Sequence, residues 1–226
     1  MTGRGYLHRV CAALTAVIAA VLIIAPRAEA QPAVPTLVLG AHLYPRPFGL
    51  TYVYGHAEVP PTEPATDVAG QTVLLYASNF PFTAWTQVAT LTTDWEGYYA
   101  YHATISQNTT YRAVWQSAAP VQAKDRLVKL PLKLSFKASH HRVRRKGVVT
   151  FSGAGRPAHP GAKIDIQQAD RHGRFRTISH TLASAGSTFQ VRLRVKKGGV
   201  YRALFPGDGL FGISASHPVR VTVSKH

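Results

Sequence analysis

The sequence predicts an all-β protein: an N-terminal signal peptide followed by two tandem antiparallel β-sandwiches. Three observations carry that expectation. The first residues run from basic to apolar to small, a long internal repeat aligns without a gap, and apolar residues alternate with polar ones between closely spaced turns.

Residues 1–30 open with Arg4, His8 and Arg9, run apolar from Val10 to Ala25 and close on Ala28-Glu29-Ala30. A basic start, an apolar stretch of about 7–15 residues and a small-x-small site describe a secretory signal peptide. Crossing a bilayer takes about 20 apolar residues, and Pro26 and Arg27 end this run short of that. The expectation is therefore cleavage after Ala30, an exported chain starting at Gln31 and no transmembrane anchor after cleavage. Cys11, the one cysteine, lies inside the leader and far from the cleavage site. That argues against a lipid anchor and excludes disulfides, thiolate metal sites and cysteine nucleophiles from the mature chain. An exported, disulfide-free protein rich in Ala and Arg points to a bacterial source.

The repeat relates "WTQVATLTTDWEGYYAYHATISQNTTYRAVW" (Trp85 to Trp115) to "FRTISHTLASAGSTFQVRLRVKKGGVYRALF" (Phe175 to Phe205). Trp85 falls on Phe175, Val88 on Ile178, Tyr99 on Phe189, Tyr101 on Val191 and Ala103 on Leu193, and "TYRAVW" then falls on "VYRALF". Upstream, "GQTVLLYA" corresponds to "GAKIDIQQA" with one residue of slippage. Two copies of one module follow, placed at 31–130 and 131–226.

Each copy reads as strands. Phe189, Val191, Leu193 and Val195 alternate with Gln190, Arg192, Arg194 and Lys196, the period-two pattern of a half-buried strand. Val219, Val221 and Val223 alternate with polar residues in the same way. Turns are marked by "EVPPTEP", "TDWEG", "RPAHPG", "ADRHG", "KKGG" and "PGDG", and no sustained helical stripe occurs. This spacing suggests about seven strands per module in an antiparallel β-sandwich. Modules of this size can fold without disulfides.

"TYRAVW" and "VYRALF" also carry a resemblance. In immunoglobulin folds a tyrosine two residues before the second cysteine ties its hydroxyl back to nearby backbone. Tyr111 and Tyr201 match that position, with Ala113 and Ala203 where the cysteine would be. Over most of both modules the pattern resembles the immunoglobulin-like repeats of secreted actinobacterial proteins. The resemblance implies two tandem immunoglobulin-like β-sandwiches and no particular activity. Both cysteines and a clear strand-C tryptophan are missing, which leaves fibronectin-like and bacterial immunoglobulin-like topologies open. The junction "DRLVKLPLKLSFKAS" has only Pro131 between the modules and no Gly/Ser tract. An elongated, stiff pair is expected, as in spacer or adhesion arrays.

Charge divides the chain sharply. Residues 31–126 hold four Lys or Arg against six Asp or Glu, a net of −2, whereas residues 127–226 hold 19 against three, a net of +16. Arg192, Arg194 and Lys196 should point away from the core on one strand, and Lys133 and Lys137 on another. In the immunoglobulin order these are strands E and A, which flank B in one sheet. "SHHRVRRKG" (Ser139 to Gly147), with His140, His141, Arg142, Arg144, Arg145 and Lys146, reads as the A–B turn at the end of that basic face. Such a surface concentrates polyanions in a salt-sensitive way. For an exported protein the expected partner is an anionic cell-envelope polymer or an acidic glycan. The alternative is a spacer or adhesion module whose partner is another protein. Nucleic acid is not expected as the purpose, because the basic stretches lack the interleaved aromatics of a stacking platform.

Weaker candidates remain. Asp94 and Glu96 in "TTDWEGYY" offer oxygens for calcium, although a polar hairpin turn is the commoner use. His140, His141, His159, His172 and His180 have no metal-ligand spacing. "NFPFTAW" and Trp95 have aromatics suited to stacking on sugars, and Asn108-Thr109-Thr110 fits a glycosylation sequon. There is no Gly-rich phosphate loop or G-x-S-x-G elbow, and nothing pairs a nucleophile with a base. A non-catalytic protein without cofactor is expected.

Overall fold

The computed structural model describes residues 35–46, 48–59, 68–117 and 119–224, so the expected leader lies outside the described residues. The described elements are all strands. The first half contains β1 (Thr36–Leu43), β2 (Leu50–Glu58), β3 (Thr72–Asn79), β4 (Thr86–Thr92), β5 (Tyr98–Thr104), β6 (Thr109–Trp115), β7 (Val121–Gln122) and β8 (Arg126–Val128). The second contains β9 (Lys133–Leu134), β10 (Lys137–Ala138), β11 (Arg142–Arg144), β12 (Gly147–Arg156), β13 (Lys163–Ala169), β14 (Phe175–Leu182), β15 (Thr188–Val195), β16 (Gly199–Phe205), β17 (Ser214–Ala215) and β18 (Val219–Ser224). Eight and ten strands replace the expected about seven per module. The surplus is pieces of two or three residues where a chain leaves one sheet or joins another.

Among the described residues four sheets form, two from each half. In the first half they run β1-β2-β5 and β4-β3-β6-β7, with β8 also on β6. In the second they run β10-β12-β15, with β9 on β12, and β11-β18-β16-β13-β14, with β17 on β16. Alternation decides which residues turn inward. Leu37, Leu39, Val53 and Tyr99 from one sheet share a buried core with Val73, Leu75, Tyr111, Ala113 and Trp115 from the other.

The repeat is visible as repeated contacts. Strand β5 pairs with β2 as β15 pairs with β12, so that Gly55 faces Tyr99 and Gly153 faces Phe189. A Cβ on Gly55 would overlap the Val38 carbonyl and the Tyr99 ring, and one on Gly153 would overlap the Ser135 carbonyl and the Phe189 ring. Glycine at these two points lets an aromatic side chain lie against the backbone. The hairpin turns agree as well. Asp94 N–H donates to Tyr98 O and Gly97 N–H to Asp94 O, while Ser184 N–H donates to Thr188 O and Ser187 N–H to Ser184 O. Gly97 and Ser187 both take positive φ there, at 85° and 56°. Outside the core, the Arg112 guanidinium lies 4.0 Å above the Trp85 ring and that of Arg202 lies 3.9 Å above Phe175.

The tyrosine pair is only half repeated. Tyr201 donates to Lys197 O at 3.4 Å, the local tie-back expected of that corner. Tyr111 is equally buried, but its hydroxyl has no counterpart of that bond among the described residues.

A different residue joins the halves. Asn108 is buried, and its side-chain amide donates to Asp208 O at 3.3 Å and Gly209 O at 3.0 Å. Its Oδ1 accepts the Leu130 N–H at 2.9 Å, and its own N–H donates to Leu210 O at 2.7 Å. The sequon at Asn108 is therefore no acceptor for a glycan: both ends of the amide are inside the joint. Asp208 holds the "PGDG" loop in shape by accepting the N–H groups of Leu210 and Phe211. Leu130, Leu132, Phe205 and Phe211 continue the buried core across the junction, which leaves no slack segment there.

Candidate binding surfaces

The basic face is built on the β10-β12-β15 sheet. Across its outer side Lys137 pairs with Ser152, which pairs with Gln190; Thr150 pairs with Arg192 and Val148 with Arg194. Their inward neighbours Phe151, Val149 and Val195 are buried, so the period-two backbone holds Lys137, Arg192 and Arg194 on the solvent side. The alternation in "FQVRLRV" is thus what places this pair of arginines. Lys196 follows the last residue of β15 and is exposed.

"SHHRVRRKG" is not simply the turn that the sequence suggested. Arg142–Arg144 form β11, which leaves the β10 sheet and pairs in parallel with β18, Arg142 beside Thr222 and Arg144 beside Ser224. The reason lies in Val143: it packs with Val149, Val221 and Val223, so its exposed neighbours Arg142 and Arg144 must point out. His141 anchors the crossing, its carbonyl accepting the Thr222 N–H at 2.8 Å and its Nδ1 lying 3.1 Å from Arg220 O. His140 is exposed, its Nδ1 3.0 Å from Ser139 Oγ. The reversal itself is Arg145-Lys146, with Lys146 at φ 66° and its N–H donated to Val195 O at 2.9 Å. That bond brings Arg145 and Lys146 beside Lys196, and the turn meets the basic sheet at one end.

Lys133 sits elsewhere. Its Nζ lies 4.3 Å above the ring of Phe48, a residue of the first half. Among the described residues none of the eleven candidate basic side chains takes part in an ion pair with a carboxylate. Two of the three acids of this half are held elsewhere. Asp208 is paired with His159. Asp170 lies 3.4 and 3.6 Å from Arg174 and Arg176. Burial pushes the Asp170 carboxyl upward, but the Arg174 and His172 N–H groups and the Arg176 charge hold it below its ordinary value.

The minor candidates are placed as follows. Asp94 accepts the N–H groups of Glu96 and Tyr98 at 3.0 and 2.8 Å, so its carboxylate closes the hairpin turn. Among the described residues no group of three His, Cys, Asp or Glu is arranged to hold a metal ion. Trp95 is 79% exposed, and Phe80 packs edge-on against Phe82.

With this geometry in view, the chain is similar to solved structures of adhesion proteins. One is a tetra-tandem repeat in the extending region of a large adhesion protein, at 12% identity and a TM-score of 0.39, covering 84% of this chain and 50% of that one. Another is the Yersinia pseudotuberculosis adhesin InvE, at 12% identity and a TM-score of 0.35, covering 83% of this chain and 58% of that one. The chain spans between half and three fifths of these structures. No family model and no curated protein matches it.

The sequence reading missed a second surface. On the outer side of β1-β2-β5, Tyr52 and Tyr54 stack at 5.3 Å, and His42 lies 5.4 and 5.9 Å from them. His102 lies 4.9 Å from Tyr52, Tyr44 lies 4.9 Å from His42, and His56 lies 5.3 Å from Tyr98. The signal was present as period-two spacing in "TYVYGHAE" and "YYAYHAT". Tyrosine at that spacing reads as core until the partner strands show which side is wet.

Proposed function

We propose that the protein is a non-catalytic extracellular adhesion or structural module of two immunoglobulin-like sandwiches, which holds anionic polymers of the cell envelope through its second half. The observation that carries this reading is the row of exposed, unpaired cations on Lys137, Arg192 and Arg194, met at one end by Arg145, Lys146 and Lys196. A surface of one sign with no carboxylate paired to it among the described residues attracts polyanions and releases their counterions on binding.

The joint at Asn108 supports the alternative of a stiff spacer that presents a protein-binding face. Purified exported protein, bound to isolated envelope over a salt series, separates the two. Polyanion binding weakens steeply with salt. A contact with an apolar centre changes little, and that result would reject the polymer reading. The same preparation tests export: its intact mass should correspond to a chain starting at Gln31, and a retained leader would remove the extracellular assignment.

A further inference from the structure

The Tyr/His face and the basic face occupy equivalent sheets of the repeat. In the first half Tyr52 pairs with His102 and Tyr54 with Ala100; in the second Thr150 pairs with Arg192 and Ser152 with Gln190. The first face bears no Lys or Arg on its strands, and its carboxylate, Glu58, is already bonded by His56 and Thr36. Tyr54 is 43% and Tyr98 51% exposed. The π-faces of such rings attract cations, and the second half offers cations on a surface of the same sheet geometry.

We propose that the chain associates head to tail, the β10-β12-β15 face of one copy laying Lys137, Arg192 and Arg194 onto Tyr52, Tyr54 and Tyr98 of a second copy. Two observations select a second copy as the occupant. The net charges of the halves are opposite in sign, −2 over residues 31–126 against +16 over 127–226, so the first half of a second copy, with no Lys or Arg on this face, does not repel the basic face. The chain also makes this contact within itself three times, with Arg112 over Trp85, Arg202 over Phe175 and Lys133 over Phe48. A guanidinium stacked on a ring keeps its in-plane N–H groups free for tyrosine hydroxyls. Because the two faces differ, the contact is not self-complementary and propagates as an open chain unless it closes into a ring.

Sedimentation velocity at low salt and pH 7.5 tests this on the exported protein. Wild type should form a concentration-dependent series of oligomers. Tyr52→Ser with Tyr54→Ser, and separately Arg192→Ser with Arg194→Ser, should each weaken association at least about tenfold. An equimolar mixture of these two variants should form dimers and nothing larger, since each retains the face that the other lacks. Tyr52→Phe with Tyr54→Phe keeps the ring faces and should still associate, which separates loss of contact from loss of fold. The tyrosine variants should bind anionic polymer as wild type does, so failure here leaves the polymer reading intact. A wild type that stays monomeric up to about 1 mM, or a mixture that gives no dimer, overturns the proposal.

Discussion

Thr150 and Arg192 face each other in the second half where Tyr52 and His102 face each other in the first. One residue inward along the same strands the two halves agree: Val53 and Phe151 are both fully buried. The same backbone therefore presents a near-neutral aromatic surface in one copy and a cationic one in the other. In a half-buried strand the two sides are chemically independent, because successive side chains point to opposite faces. The inward set is constrained by packing, whereas the outward set is free to change function. On this sheet side the halves therefore differ while their inward sides agree, and there the binding properties should be sought.

The largest effects should come from what the halves share. Gly55→Ala and Gly153→Ala each force a Cβ into a neighbouring carbonyl and an aromatic ring, and each should cost about 3 kcal/mol in denaturant unfolding. A large cost at one position and none at the other would break the equivalence. Asn108→Ala should come next, at about 2–3 kcal/mol, because the Leu130 N–H and the Asp208 and Gly209 carbonyls lose their partner. Asn108 falls on Gly198 in the aligned repeat, so this bond set belongs to the joint and has no copy.

Alkaline pH sharpens the comparison further. Burial pushes the Tyr99 hydroxyl far up and that of Tyr111 to about 12. Unfolded, both ionise near their ordinary value of about 10. Their contribution is complete below pH 10 and is lost as pH rises through the folded values, at up to about 1.4 kcal/mol per unit for each tyrosine. Phe189 stands where Tyr99 does and cannot titrate. Tyr99→Phe should flatten the alkaline slope of the unfolding free energy; an unchanged slope would count against the buried hydroxyl. The same substitution at neutral pH removes the bond from Tyr99 to Val38 O at 2.6 Å and should cost about 1 kcal/mol. The smallest difference separates the tyrosine corners: Tyr201→Phe should cost about 0.5–1 kcal/mol and Tyr111→Phe less. Equal midpoints for both would remove the distinction.

Much of this was legible in the residues. The gapless alignment put Trp85 on Phe175 and the two "YRA" tyrosines on each other; the structure repeats the first environment down to Arg112 and Arg202 over their rings, while the tyrosines share burial but not the tie-back. The alternation in "FQVRLRV" located Arg192 and Arg194 correctly, because one buried side leaves the other wet. Three features were not legible. The crossing of Arg142–Arg144 to a second sheet depends on Val143 finding Val221 and Val223, about eighty positions away. Asn108 reads locally as a sequon, and its partners are a hundred residues distant. The Tyr/His surface has the spacing of a strand, but its wet side is set by the opposite sheet, whose β3 and β6 residues cover the inward side, rather than by its own residues.

The central claim is that cationic function resides on one sheet side of the second half. Its most direct test is the salt concentration at which wild type and an Arg192→Ser, Arg194→Ser, Lys196→Ser variant elute from a heparin-like anionic resin. These side chains are exposed, so the variant should unfold within about 0.5 kcal/mol of wild type. It should elute at clearly lower salt, with a shallower dependence of binding on salt. Elution at the wild-type position, with folding intact, would contradict the claim and return the charge of this half to a solvated surface.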